Sequence, residues 1–157
     1  SDYQFVIAGA PSQDPDFYKA FITDENVHFV ENCTYDLLSV SHAALVTSGT
    51  ATLETALFKV PEVVCYKSSW ISYQIGRQLV KLKFISLVNL IMDKEVVTEL
   101  IQENLNSNSL KIELQKLLDL KYRSEILENY NSLEMKLGGS GASQKTAKLI
   151  VSNLQKI

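Results

Sequence analysis

Short β-rich runs alternate with helical stretches over the first two-thirds of the chain, and this restricts the fold more than any other feature. It is the pattern of βαβ units around a parallel sheet. The spacing predicts strands over 3–8, 27–30, 43–47 and 63–66. The third, Ala43 to Thr47, is apolar without a break, as suits a strand buried on both faces. Between them, helices are predicted over 16–21 behind Pro15, over 35–40 with Thr34 as N-cap, and over 51–58 until Pro61 stops the run. Ile71, Ile75, Leu79 and Leu82 recur at helical spacing within 69–82, and 84–90 reads as a short extended piece.

The last third changes character and reads as helices only. Val97, Leu100 and Ile101 share a helical face within 95–105. Leu110, Leu114, Leu117 and Leu118 mark a second helix, and Tyr122, Ile126, Tyr130, Leu133 and Leu137 stripe a third. After the glycine-rich break at 138–141, a final helix gathers Ala147, Ile150, Val151 and Leu154 on one side. The expected class is α/β: a Rossmann-like parallel sheet flanked by helices, with a helical C-terminal third. Residues 1–157 read as a single domain, of which 106–157 is a helical extension. That length buries a sizeable core without disulfides or metals. The chain opens on a strand with no Met before it, so it is expected to be a fragment of a longer protein.

Fifteen basic against 18 acidic residues, a net charge of -3, give no support for a nucleic-acid partner. Cys33 and Cys65 lack metal-ligand spacing and flank apolar runs, so both are expected as buried free thiols. His28 and His42 share no spacing with cysteines or carboxylates, so neither a metal nor a cofactor is expected. No apolar run is long enough to span a bilayer. The tract Trp70-Ile71-Ser72-Tyr73 reads as core packing, with an exposed patch that touches lipid or a partner as the alternative.

Ligands of open parallel sheets bind beyond the C-terminal strand ends. The loops at 9–15, 48–50 and 67–69 compete for that role. In the second of these, a buried strand enters a helix through Ser48-Gly49-Thr50. Glycine admits close approach to the backbone. The helix start offers unpaired N–H groups and a positive dipole end, and the two hydroxyls add donors. Glu54, one turn on, would repel phosphate but suits a ribose diol. An ordinary capped strand-turn-helix remains open on spacing alone. The motif lacks the lysine of a Walker loop and the glycine spacing of a dinucleotide fingerprint. Gly9 follows the first strand and could pass near a ligand. Asn89 is an amide in an apolar piece and must find partners. Gln102 follows Glu99 at i+3, where a solvated helix face is the simpler reading.

Four blocks together resemble the lipid-A-disaccharide synthase family. They are residues 47–54 (Thr-Ser-Gly-Thr-Ala-Thr-Leu-Glu), 59–67 (Lys-Val-Pro-Glu-Val-Val-Cys-Tyr-Lys), 79–90, which ends Ser-Leu-Val-Asn-Leu, and 99–102 (Glu-Leu-Ile-Gln). The match covers roughly residues 40 to 105. The resemblance implies one half of a two-domain glycosyltransferase of GT-B type, with its active site in the cleft. It further implies transfer of a diacylated glucosamine from UDP to an acylated glucosamine 1-phosphate. Ser48, Gly49 and Thr50 would then lie at the pyrophosphate and Glu54 at the ribose, with Asn89, Gln102 and Gly9 lining the donor pocket. The family usually has Pro where Val88 stands, which bears on the posture of Asn89. Its catalytic acid or base is expected in a second, N-terminal domain, so this chain alone is expected to be inactive. The helices after Glu95 are expected to pack on that domain or on a second subunit. A cytoplasmic location, a peripheral contact with the inner face of the inner membrane and a homodimer follow only from the resemblance.

Other readings stay open: a different GT-B transferase or sugar-nucleotide epimerase, or a non-catalytic α/β interaction module. A signalling receiver domain would need an acidic cluster at strand ends, for which Asp14 and Asp16 are the only candidates.

Overall fold

Alternating apolar runs become parallel strands here, as the sequence pattern requires. The structure is a computed structural model that describes residues 3–69, 83–139 and 141–154. The chain forms two compact units, Ser1–His42 and Ala43–Ile157.

In the first unit, β1 (Phe5–Gly9) pairs in parallel with β2 (Val27–Glu31), from Phe5 opposite Val27 to Gly9 opposite Glu31. Helix α1 (Pro15–Lys19) connects them, and the Asp14 carboxylate caps it by accepting from Asp16 N at 2.8 Å. Helix α2 (Thr34–Val40) follows, with Cys33 rather than Thr34 at the N-cap position. Cys33 is exposed, not buried, because the cap position leaves the helix at its open end. Cys65, in the second unit, is half-buried and its thiol is pushed up by burial. Gly9 is buried against the Phe29 ring, where a Cβ would come within 2.8 Å of the ring carbons.

The second unit holds the larger core. Its sheet runs β3 (Ala44–Thr47), β4 (Glu62–Tyr66), β5 (Thr98–Ile101), all parallel with β4 in the middle. Helix α3 (Thr50–Leu57) links β3 to β4. Val63 and Val64 are both fully buried, as a central strand covered on both faces demands. Helices α4 (Leu87–Met92), α5 (Ser107–Leu117) and α6 (Leu120–Leu137) pack around this sheet. Ile126, Tyr130 and Leu133, at i, i+4 and i+7, are the buried stripe of α6. Gly138 ends that helix in the left-handed conformation at φ 80°.

Two expectations exchange places. The piece at 84–90 is not extended: Ser86 accepts from Asn89 N and starts α4. The stretch at 95–105 is not a helix but contains β5, followed by a 3₁₀ turn at Gln102–Asn104. Its Val97, Leu100 and Ile101 fit a helical face, but Leu100 and Ile101 pair with Cys65 and Tyr66 of β4, and Val97, just before β5, is buried. Residues 70–82, including the predicted helix and the Trp70 tract, lie outside the described residues. The last helix, α7 (Ala142–Leu154), buries no side chain and exposes Leu149, Ile150, Val151 and Leu154.

Candidate functional site at the end of strand β3

Strand β3 ends at Thr47, and its ladder reaches one residue further, because Ser48 N donates to Cys65 O at 3.1 Å. The Ser48 hydroxyl donates to Ile85 O at 3.3 Å. Both donors of Ser48 are therefore used within the fold. Gly49 follows at φ 152°, ψ -160°, a conformation that disfavours any side chain. A Cβ there would meet nothing within 4 Å, so the backbone faces open space.

Helix α3 starts without a side-chain cap. The N–H groups of Gly49, Thr50 and Ala51 meet no acceptor among the described residues, whereas Thr52 N and Thr52 Oγ1 both donate to Gly49 O, at 3.3 and 2.8 Å. Gly49, Thr50 and Ala51 are exposed and Thr52 is fully buried. The turn is thus held from inside and open outside. Orphan N–H groups and the helix dipole make it suited to an anion. Glu54 is half-buried one turn on and forms no ion pair among the described residues.

Asn89 is fully buried on α4, and its amide is saturated. Its oxygen accepts from Val96 N at 2.7 Å and Val97 N at 3.0 Å. Its nitrogen donates to Val97 O at 2.8 Å and to Glu99 Oε1 at 2.9 Å. These bonds fix its posture. Val88, just before it, lies in the first turn of α4, where proline would also be tolerated. Gln102 is buried at φ 52°; its Oε1 accepts from Ser68 N at 2.7 Å and its Nε2 donates to Ser68 O at 3.1 Å.

Ser48, Gly49, Thr50 and Glu54 therefore share one turn and the helix it opens. Asn89 is tied to that turn through Glu99, Ile85 and Ser48, whereas Gln102 holds the segment after β4. Gly9 sits in the first unit, at the end of β1. Sequence reasoning missed Ile85, Ser86 and Glu99 as parts of this network. The Ser-x-x-Asn spacing at 86–89 was the available signal, since it reads as a helix cap. Among the described residues, no group of three or more His, Cys, Asp or Glu could hold a metal. No described helix is long and apolar enough to cross a membrane.

The profile of a family described as lipid-A-disaccharide synthetase matches residues 10–153. The chain is 37% identical over 157 residues to the lipid-A-disaccharide synthase of Syntrophus aciditrophicus (strain SB), covering 98% of this chain and 41% of that protein. It is 34% identical over 154 residues to that of Anaeromyxobacter dehalogenans (strain 2CP-C), covering 96% and 40%. It is 33% identical over 148 residues to that of Coxiella burnetii (strain CbuG_Q212), covering 94% and 39%. The chain spans about two-fifths of the length of these relatives. On the extent of the profile match and the level of these identities, the chain belongs to the lipid-A-disaccharide synthetase family.

Proposed function

We propose that this chain is the donor-binding part of a lipid-A-disaccharide synthase, holding UDP-diacylglucosamine while its sugar passes to an acylated glucosamine 1-phosphate. The observation that carries the reading is the uncapped start of α3, reached through Gly49 at a strand end, in a chain of this family. The N–H groups of Gly49, Thr50 and Ala51 and the Thr50 hydroxyl face the diphosphate. Ser48 contacts it only if its hydroxyl turns away from Ile85 O; otherwise it anchors the turn. Glu54 accepts from the ribose hydroxyls. Asn89 and Gln102 support the donor pocket from within the fold.

UDP leaves well when its developing charge meets fixed donors, and a helix start supplies these without a metal. The acid or base that serves the acceptor lies outside this chain. Helix α7, whose apolar face is unpartnered among the described residues, is consistent with packing on a further domain or subunit. The enzyme works in the cytoplasm, peripheral to the inner face of the inner membrane, where its acylated substrates reside.

The test is UDP release by the full-length protein given UDP-diacylglucosamine and the acylated glucosamine 1-phosphate. The reading expects release that requires the acceptor and falls at least tenfold in Gly49→Val. Release indifferent to the acceptor, or to the variant, would count against it.

A further inference from the structure

Glu99 has a task that its position on β5 does not require. It is half-buried, and its carboxylate meets no cation among the described residues. Instead it accepts three hydrogen bonds of one length: from Ile85 N on Oε2, and from Ser86 N and Asn89 Nδ2 on Oε1, each at 2.9 Å. Two consecutive backbone N–H groups on the two oxygens of one carboxylate fix both the position and the orientation of the peptide between them. The bonds also place a negative charge at the start of α4, the favourable end of its dipole.

The carbonyl of that peptide, Ile85 O, is the acceptor for the Ser48 hydroxyl. Glu99 therefore fixes the group that fixes Ser48, and Ser48 is the residue from which the chain turns through Gly49 into α3. A strand-end turn has few other restraints. Its outer face is open; among the described residues Thr52 ties down the Gly49 carbonyl from inside, and Ser48 N holds to Cys65 O. Donors aimed at an anion gain affinity when their position is fixed before binding.

We propose that Glu99 is a positioning residue for the nucleotide site: it sets the Ile85–Ser86 peptide, which through Ser48 presets the Gly49–Thr50 turn for a nucleoside diphosphate. This inference rests on the nucleotide reading of that turn. Glu99 touches no ligand, and its effect passes entirely through Ile85 O.

Glu99→Gln tests it with little change in shape. The amide retains one oxygen but presents an NH₂ group to one of the two backbone N–H groups, so one end of the grip is lost. UDP affinity is measured by calorimetry on the full-length protein, with the thermal midpoint followed in parallel. Glu99→Gln is expected to bind UDP about threefold more weakly. Ser48→Ala, which cuts the link at its other end, is expected to lose about threefold. The double variant should match Glu99→Gln alone, since both act through one carbonyl. A purely structural role for Glu99 would lower the midpoint and leave the two effects on affinity independent, so additive losses overturn the proposal. Glu99→Asp keeps the charge and shortens the reach; it should fall between wild type and Glu99→Gln, and serves alone if the glutamine variant does not fold. Wild-type affinity in Glu99→Asp or Glu99→Gln overturns the positioning role while leaving the nucleotide site standing. Failure of the wild-type protein to bind UDP overturns both.

Discussion

Gln102 holds Ser68 by both of its backbone groups, accepting from its N–H at 2.7 Å and donating to its carbonyl at 3.1 Å. One side chain thus does what a neighbouring strand residue would do, just past the end of the β4–β5 ladder. Gln102→Ala leaves two backbone groups without these partners, at a cost of about 1–3 kcal/mol. Faster amide exchange at Ser68, with Val63 and Val64 unchanged, is the expected signature. Unaltered exchange at Ser68 would mean that the clamp contributes nothing.

Asn89 meets four separate protein groups from a fully buried position. Asn89→Ala leaves all four without this partner, and a loss of about 3 kcal/mol or more is expected in urea unfolding. Asn89→Asp should cost at least as much, because it removes both donors and sets a second carboxylate against Glu99. An aspartate variant as stable as wild type would contradict this network.

Glu62 begins β4 and is 1% exposed, with no hydrogen-bond partner for either carboxylate oxygen among the described residues. Burial pushes its pKa up to about 9. The same burial, together with the nearby Glu62 carboxyl, raises the Tyr130 phenol on α6. The folded state thus keeps a proton that the unfolded chain releases in the ordinary carboxylate range. Stability is highest below that range, falls as pH rises towards about 9, and is fully reduced above it. The slope limit is roughly 1.4 kcal/mol per pH unit. Glu62→Gln should flatten the dependence between pH 5 and 9 and raise the midpoint at pH 8. A wild-type midpoint independent of pH over that span would show that the group is not held neutral.

Leu133 is fully buried on α6, whereas Ile150 on α7 is 56% exposed. Leu133→Ala should destabilise the chain by about 2–5 kcal/mol through the cavity it leaves. Ile150→Ala should change the stability of this chain by less than about 0.5 kcal/mol. If both truncations cost the same, α7 packs more closely than its exposure indicates.

The strand-turn-helix at 44–57 was legible because each of its signals is local, although β3 leaves Leu45 and Thr47 exposed and is not buried on both faces. An unbroken apolar run, three small residues and a series of good helix formers lie within one short stretch. The buried stripe of α6 was legible for the same reason. The region from Phe84 to Leu105 was not, because its outcome is decided by partners distant in sequence. Leu100 is strand because it pairs with Cys65, and helical spacing around Val97 carries no trace of that pairing. Glu99 passed as a surface charge for the same reason: its three donors come from a segment ten or more residues earlier. Cys33 beside an apolar run reads as buried, but its place at the entry of α2 leaves it exposed.

The central claim is that the turn from Ser48 to Thr50 holds the diphosphate of a UDP-sugar. Calorimetric titration of the full-length protein with UDP tests it most directly, with Glu54→Ala and Gly49→Val alongside. Saturable binding is expected, weakened in Glu54→Ala through the ribose and more strongly in Gly49→Val, where a β-branched residue at positive φ distorts the turn. Absence of binding at millimolar UDP by folded protein, or equal affinity in all three, would contradict the account.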